Sequence, residues 1–401
     1  MTLSGRLGRH AAAPGGARTG RGDPGWTVEV RRDGGALAAL AGEWRDLYDR
    51  SPAATPFQSH AWLASWWRNY GTADGLRLFL VRRRGVLVAA APLMAVRRCG
   101  FPVLEPVAAP QSDFTDVLLD GEHSRRAARC LARALLAAPG WGAIDLREVR
   151  PGAAAHAVAG CWPGTSWRTP ASLCLELPAG DLAGLLDALP RRRAGKVRAR
   201  LRRIDATGIE AAPVPAERAA EAVNRLLDLH VRQWEGRPIN PEHTRARFRR
   251  HLAAALGEMI RDGQAALLEY RDGDRPVAAD LVLIGHDFAG AYLYGAEAGL
   301  RDRIEVTLML LRQDVELARR AGVPVLSLLR GDEPYKRKWR PVPVRSERLI
   351  LGRSPLASLY ATAARARAGL AAYRNGRTSP DDEEEGVPPA LTAVPDETAH
   401  G

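Results

Sequence analysis

Apolar residues in the second half of the chain follow first the spacing of amphipathic helices and then that of strands. Leu226, Leu227 and Val231 fall on one face of a first helix, and the Asp-Gly-Asp turn at 272–274 favours a hairpin between two strands. Gly322 ends a later helix before a buried strand. The predicted elements are, in order, helices at 216–234 and 242–261, strands at 264–270, 276–285 and 290–294, a helix after the loop 295–303, and strands at 323–329 and 344–350.

The first half of the chain repeats this order of elements more loosely. Apolar spacing predicts two helices, then three strands, then a helix and a further strand. The predicted first-half elements are helices near 37–47, at 61–70 and at 125–138, and strands at 76–81, 86–96, 115–119 and 143–149.

Two halves with a matched order of elements indicate a duplicated unit. The predicted fold class is therefore mixed α/β (an α+β mixed sheet), with one domain at 26–180 and a second at 181–355. An Arg-, Gly- and Ala-rich leader at 1–25 is predicted to be disordered. The segment 356–401 is predicted to hold a C-terminal helix and then a disordered acidic tail, because like-charged and Pro-rich stretches bury too little surface to fold.

The net charge of +12 over 401 residues indicates anionic partners. Such an anionic partner could be a nucleotide phosphate, an acidic substrate, nucleic acid or an anionic membrane surface. The four cysteines lie far apart and the histidines lack metal-ligand spacing, so we expect no metal site. We find no apolar run of membrane-spanning length and no secretory signal, which predicts a cytoplasmic protein and leaves a peripheral membrane contact open.

Two stretches of the sequence resemble a known family. With the order helix, helix, three-strand meander, helix and strand, they resemble the GNAT acyltransferase superfamily, and within it the tandem-domain acetyltransferases of the CelD/BcsL (cellulose-biosynthesis) type. The resemblance covers about residues 26–355. The same architecture resembles the Fem-type peptidyltransferases, which use aminoacyl-tRNA as donor. The two stretches are Thr-Pro-Phe-Gln-Ser-His-Ala-Trp-Leu at 55–63, followed by Trp66-Trp67, and Leu-Arg-Gly-Asp-Glu-Pro-Tyr-Lys-Arg-Lys-Trp at 329–339.

The resemblance implies acetyl-CoA or another acyl-CoA as donor substrate, with its pyrophosphate at the start of the helix after the third strand. Unpaired N–H groups and the helix dipole favour an anion there. Arg301 and Arg303 lie at the loop–helix junction, and Val306 and Thr307 open the helix. The family tends to have Ser-Pro-Gly at this turn, whereas this chain has Ile-Glu-Val-Thr at 304–307, and a glutamate there repels phosphate.

Three residues are candidates for proton transfer. Tyr335 lies just past a buried strand, where a phenol can protonate the leaving sulfur. Asp280 lies in an otherwise apolar strand, so burial would raise its pKa toward that of a useful base. Glu297 follows the third strand beside the cofactor loop. Each also has a structural interpretation: a packed aromatic, an outward-facing strand residue and a solvated loop charge, respectively.

Arg330, Lys336 and Tyr294 are the candidate substrate-binding residues. Arg330 and Lys336 offer cations across a short gap, which suits a substrate carboxylate or a cofactor phosphate. Alternatively, Arg330 pairs with Asp332 on the surface.

The densest basic segment is 191–203, which is predicted to be helical with charges around most of its circumference. It is either a solvated helix between the domains or a surface for tRNA, polysaccharide phosphate or anionic lipid. It lacks the interleaved aromatics that stacking on bases requires, which argues against a nucleic-acid partner.

These features lead to one prediction and two alternatives. We predict an acyl-CoA-dependent N-acyltransferase whose second domain carries the site and whose first domain walls the substrate cleft. Its acceptor would be an amine of a small molecule, or of a glycan or peptide precursor. The alternatives are a Fem-like transferase using aminoacyl-tRNA, and a non-catalytic pseudo-acyltransferase that scaffolds envelope polysaccharide assembly.

Overall fold

The computed structural model describes residues 25–376, and its strands form one mixed sheet. The predicted leader up to residue 24 and the tail beyond residue 376 lie outside the described residues. The strands are β1 (Trp26–Arg31), β2 (Leu76–Arg83), β3 (Val86–Arg98), β4 (Phe101–Pro106), β5 (Leu118–Leu119), β6 (Ala143–Val149), β7 (Ser166–Pro178), β8 (Glu210–Pro213), β9 (Ala265–Asp272), β10 (Arg275–Ile284), β11 (Phe288–Ala296), β12 (Val325–Arg330) and β13 (Val342–Gly352).

Helices cover both faces of this sheet, and short 3₁₀ turns introduce several of them. The helices are α1 (Ala36–Ala39), α2 (Ala41–Asp49), α3 (His60–Tyr70), α4 (Ser124–Ala137), α5 (Ala154–Gly160), α6 (Leu182–Asp187), α7 (Arg191–Asp205), α8 (Ala219–Gln233), α9 (Ala246–Arg261), α10 (Leu300–Arg303), α11 (Val306–Arg320), α12 (Pro334–Arg337) and α13 (Leu356–Gly376).

The fold class is as predicted, and most predicted elements are present within a few residues. The helices at 216–234 and 242–261 correspond to α8 and α9, and the three-strand meander to β9, β10 and β11. The predicted strand at 115–119 is only the two-residue β5. The prediction missed β1, β4, β7 and β8.

The two halves exchange their last strands, β7 and β13. Along the sheet the order is β1-β2-β3-β4-β6-β13-β7-β12-β11-β10-β9-β8. Thus β13, from the end of the chain, pairs antiparallel with β6 of the first half. In turn, β7 precedes the second half in sequence but pairs antiparallel with its β12. The domain boundary at 180/181 stays a prediction, while the sheet itself runs through both halves without a break.

A shared apolar core also joins the halves. Trp62 of α3 and Phe248 of α9 are both at most 1% exposed and belong to one buried cluster. The Ser65 hydroxyl of α3 donates to the carbonyl of His251 in α9 at 2.8 Å. On the opposite face of the second-half sheet, α7 and α11 cover a separate cluster around Tyr270 and Met309. The second-half sheet is thus buried on both faces, as a central sheet must be.

The halves also repeat one local irregularity, which supports the predicted duplication. β4 runs parallel to β6 over only two residue pairs, and β11 runs parallel to β12 over only three. Near the end of β6 and of β12 a non-glycine residue has a positive φ, which is 55° at both Glu148 and Leu329. Because L-residues adopt this conformation rarely, its recurrence at matching places indicates a shared strand ending.

Candidate functional site

Backbone pairing between β11 and β12 stops at Gly290 and Ser327, although β11 continues to Ala296 and β12 to Arg330. We call the region beyond this point the opening between β11 and β12. Two groups on this part of β11 are held by α8: His230 Nδ1 donates to the Tyr294 carbonyl at 2.7 Å, and Gln233 Oε1 accepts from the Ala296 N–H at 2.8 Å. The backbone groups at this end of β11 are therefore only partly free.

His230 belongs to a buried histidine pair beneath Tyr294. Since Nδ1 donates to a carbonyl, Nε2 is free to accept, and His243 Nδ1 lies 3.1 Å from it. Burial lowers the pKa of His230 to about 4 and that of His243 to about 3, so both rings are neutral at pH 7. The two rings hold the end of β11 in place.

A buried pair of carboxyl groups lies on the other face of β11. Asp280 of β10 and Asp314 of α11 are 2% and 3% exposed, and their side chains are in hydrogen-bonding contact. Burial raises the pKa of Asp280 to about 6 and that of Asp314 well above its usual range, because two adjacent carboxylates cannot both ionise. The pair therefore holds one proton at neutral pH.

Three tyrosines surround this acid pair. Tyr270, Tyr294 and Tyr335 all feel its charge, and burial raises the pKa of each phenol. The hydroxyls of Tyr270 and Tyr294 have no hydrogen-bond partner in the described chain. The acid pair and these phenols form one buried polar cluster, which we call the acid–tyrosine cluster.

The cluster brings together three of the residues chosen from the sequence, namely Asp280, Tyr294 and Tyr335. Asp280 faces inward, as the prediction required. Asp314 was missed, although the sequence carried a signal for it. Asp314 lies on the apolar stripe of α11 between Leu311 and Ala318, where a charged residue is out of place.

Cations surround the start of α11, where a donor phosphate was expected. Val306 is buried and Thr307 half-buried at the first turn, and Glu305 precedes them without capping the helix through its side chain. Arg200 of α7 lies 2.6 Å from the Glu305 carboxylate, and Lys338 lies 3.9 Å from it. Two cations thus outweigh the single acidic charge that opposed phosphate binding.

The two arginines of α10 point to different partners. Arg303 pairs with Asp272 at 3.2 Å, and its carbonyl accepts from Arg203 of α7. Arg301 instead lies beside the Tyr294 hydroxyl. The remaining catalytic candidate, Glu297, binds the exposed Arg275 with both oxygens, at 2.9 and 2.8 Å. This ion pair places Glu297 at the rim of the site, apart from the acid–tyrosine cluster.

The motif at 330–336 contains a buried ion pair between Lys336 and Glu333. Lys336 is 4% exposed and contacts the Glu333 carboxylate at 2.8 Å and the Arg330 carbonyl at 2.9 Å. Gly331 has a φ of 119°, and a Cβ there would lie 2.5 Å from the Glu333 carboxylate, so only glycine fits. The Lys336 ammonium is thus held within its own loop.

Arg330 joins this motif to the first half of the chain. Its Nε donates to Asp113 at 2.7 Å, and Glu148 lies 3.9 Å away. The alternative that Arg330 pairs with Asp332 is wrong, because Asp332 binds Arg337 instead. Asp113 and Glu148, both distant in sequence, were missed as partners.

Replacing Asp113 with asparagine should lower the free energy of unfolding by about 2–4 kcal/mol, because it leaves the half-buried Arg330 without its closest counter-charge. The matched control is Asp332→Asn in the same motif, whose partner Arg337 is exposed. That change should leave stability nearly unchanged. Urea unfolding of the two variants measures the difference, and equal effects would contradict the bridging role of Arg330.

A cleft of about 220 Å³ is lined by the first half, with Asp287 as the one lining residue from the second half among the described residues. Arg150 of the first half crosses it to bind both oxygens of Asp287 at 2.9 Å. At its floor Asp116 accepts backbone N–H bonds at the start of α5, and burial raises its pKa to about 7. The other lining residues include Pro52, Thr55, Phe114 and Gly152.

The cysteines differ in exposure: Cys174 is buried and Cys99 is exposed. Among the described residues no cluster of three or more potential ligands suits a metal ion. No helix in the described part of the chain combines the length and apolar character needed to cross a bilayer.

Comparison with known proteins agrees with this geometry. Residues 191–337 match the family model described as Acetyltransferase (GNAT) domain. No curated protein matches the sequence.

Solved structures share the fold at low sequence identity. FemX aligns with a TM-score of 0.55 and 13% identity, over 80% of this chain and 98% of FemX. The C-terminal domain of a putative lysylphosphatidylglycerol synthetase from Agrobacterium fabrum aligns with a TM-score of 0.52 and 13% identity, over 81% and 95% of the two chains. L-PGS from Bacillus licheniformis aligns with a TM-score of 0.52 and 9% identity, over 82% and 95%. The chain therefore has a GNAT-like fold, and the match to the GNAT acetyltransferase domain model lies in its second half.

Proposed function

We propose that the second half of the chain transfers an acyl group from an acyl-CoA, such as acetyl-CoA, to an amine. The observation that carries the proposal is the acid–tyrosine cluster beside the opening between β11 and β12. It places a proton acceptor and a proton donor on one side of the strand that borders the opening. Acyl transfer to an amine needs both groups at once.

The chemistry follows from the protonation states. The amine nitrogen attacks the thioester carbonyl, a C–N bond forms and the C–S bond breaks. The charged member of the Asp280–Asp314 pair accepts the proton that the amine loses. Tyr335, whose pKa is raised by burial, is fully protonated and donates its proton to the leaving thiolate. The products are an amide and free CoA, and the proton held by the acid pair restores the phenol.

The residues at the start of α11 fit the donor's pyrophosphate. The first-turn N–H groups of Val306 and Thr307 receive no side-chain cap from Glu305. Arg200 and Lys338 lie around the same turn and bring the local charge to a net positive value. This part of the site contains Arg200, which the sequence placed only in an undifferentiated basic run.

The first half would serve as a scaffold. It contributes Asp113 to position Arg330 and lines most of the cleft crossed by Arg150. The resemblance to the CelD/BcsL type suggests a small-molecule or envelope polysaccharide precursor as acceptor, in the cytoplasm.

One observation favours aminoacyl-tRNA as an alternative donor. On α7 the exposed Arg191, Arg192, Lys196 and Arg202 have no partner in the described chain, which leaves a cationic face open to a polyanion. The shared fold with FemX agrees with this alternative but does not favour it over acyl-CoA. Binding of tRNA that falls steeply with salt would support it. A protein that binds no donor would instead be a scaffold.

The donor is tested by thermal shift with acetyl-CoA and longer acyl-CoAs. Saturable stabilisation is expected, because a ligand that binds only the folded state raises the melting temperature. No stabilisation by any thioester would refute the proposal.

Tyr335→Phe tests the general acid. It should lower kcat by about 10²-fold, with CoA affinity nearly unchanged, because it removes only the donated proton. Tyr48→Phe is the control, since it removes the same hydroxyl from a buried tyrosine of the first half. Equal turnover of the two variants would show that Tyr335 is not the acid.

A further inference from the structure

Two arginines from separate segments meet beside the acid–tyrosine cluster. Arg237 follows α8, and its guanidinium stacks on the Trp234 ring at 4.8 Å and donates to the Gln233 carbonyl. Arg301 comes from α10. Both lie next to Tyr294 and within electrostatic reach of each other. The stacking and the carbonyl contact hold Arg237 in one orientation.

This pair has no acidic counter-charge in the described part of the chain. Neither arginine forms an ion pair with a carboxylate there, in contrast to Arg303, Arg275 and Arg200 nearby. Burial and the charge of Arg301 together lower the pKa of Arg237. Holding two partly buried cations side by side costs free energy unless an anion joins them.

Unused donors face the same space. The Tyr294 hydroxyl and Gln233 Nε2 are buried and have no hydrogen-bond partner in the described residues. Arg301 and Gln233 Nε2 lie beside the phenol and can only donate toward its oxygen, so neither accepts the phenol's own proton. Since buried polar groups are normally satisfied, these donors indicate a missing acceptor. Two guanidinium groups, a phenol and an amide form the donor set that carboxylates and phosphates prefer.

These arginines are separate from the cations proposed for the donor pyrophosphate. Arg301 and Arg303 are two residues apart on α10, and Arg303 turns toward Asp272 while its carbonyl meets α7. The basic groups around the start of α11 come from that α7 side. Arg237 belongs to the segment between α8 and α9. The two cationic groups therefore serve different anions.

Building on the proposed function, we propose that Arg237, Arg301 and Tyr294 bind an anionic group of the acceptor, a carboxylate or a phosphate. The amine of that acceptor then lies at the Asp280–Asp314 pair, since Asp280 also acts on the Tyr294 phenol. The acceptor class is an amine that also carries an acidic group. Arg301, expected from the sequence to bind the cofactor, is assigned to the acceptor.

Calorimetric titration without donor tests the assignment with three probes of similar size: 3-aminopropanoate, 2-aminoethyl phosphate and propylamine. The wild-type protein should bind at least one of the two anionic amines about tenfold more tightly than propylamine. Which one binds distinguishes a carboxylate from a phosphate. Arg301→Gln and Arg237→Gln should abolish the preference. Arg232→Gln, an exposed arginine of α8, is the control and should keep it.

Two results would overturn the proposal. One is wild-type protein that binds propylamine as tightly as both anionic amines. The other is an Arg301→Gln variant that keeps the preference but loses affinity for CoA, which would assign Arg301 to the donor. Because the probes are titrated without a thioester, this outcome is independent of whether the donor is an acyl-CoA. Unchanged melting temperatures of the variants confirm that they fold.

Discussion

Replacing Asp314 with asparagine is expected to lower kcat by about 10²-fold or more, with little change in the affinity for acetyl-CoA. The acid pair holds a single negative charge because Asp280 and Asp314 share one proton. An asparagine at position 314 leaves the remaining carboxyl group without its coupled partner. Burial raises the pKa of Asp280 and the hydrogen bond from Asp314 partly offsets that rise, so a weaker donor at position 314 leaves Asp280 protonated to a higher pH and less able to accept the amine proton. The start of α11, where the donor binds, is untouched.

The same variant should change how stability depends on pH. The pKa of Asp280 is about 6 in the folded protein and near 3.8 when unfolded, so the folded state binds more protons between these values. The free energy of unfolding therefore falls as pH rises from about 4 to 6, and the higher pKa of Asp314 extends the decline further. Asp314→Asn should flatten this decline.

Both effects are measured against Asp228→Asn, an exposed aspartate of α8 that pairs with Arg249. This control should retain wild-type kcat and the wild-type pH dependence of the melting temperature. If Asp314→Asn keeps full turnover, the acid pair is a structural feature and the base lies elsewhere. If it loses turnover but its melting temperature still declines as in the wild type, the two carboxyl groups do not share a proton.

The sequence was sufficient to place residues whose chemistry depends on local pattern. Asp280 interrupts an apolar strand and Tyr335 follows a buried one, and both positions fix the side chain relative to the sheet. The positive φ of Gly331 also depends only on its own loop. Within the second half, helical and strand periodicity therefore predicted the elements and part of the cluster that they bring together, namely Asp280, Tyr294 and Tyr335.

Local sequence patterns could not predict contacts between distant segments. The partner of Arg330 is Asp113, 217 residues away, and the nearer Asp332 was the wrong candidate. Arg237 lies in an irregular segment with no periodicity to place it, and only the fold shows that it meets Arg301. Position along the chain does not determine such pairs, because they depend on how the two halves pack.

The exchanged strands are the largest case of this kind. β7 has alternating Leu173, Leu175 and Leu177, yet neither of its neighbours in the sheet lies beside it in sequence. Its antiparallel partners are β12 and β13, both from the second half. The duplication was visible in the order of elements, whereas the exchange of β7 and β13 leaves no local signature in the sequence.

The exchange predicts that neither half folds alone. Fragments 25–180 and 181–376, expressed separately, should show no cooperative unfolding transition, because each lacks the strand that covers β6 or β12. The retained strand cannot replace it directly. β7 runs antiparallel to β13, which runs antiparallel to β6, so β7 would have to pair in parallel with β6, where the native neighbour is antiparallel. Each fragment would also expose its part of the common core.

Co-expression of the fragments should give a stable 1:1 complex with one cooperative transition. The matched control is the full chain carrying a protease site at 180/181, folded first and then cleaved. It should stay assembled, since the sheet and core still hold both pieces together. Copurification through a tag on one piece and calorimetric unfolding measure the outcome. A cooperative transition in either fragment alone would mean that each half closes its own sheet, and that the exchanged strands contribute little to its stability.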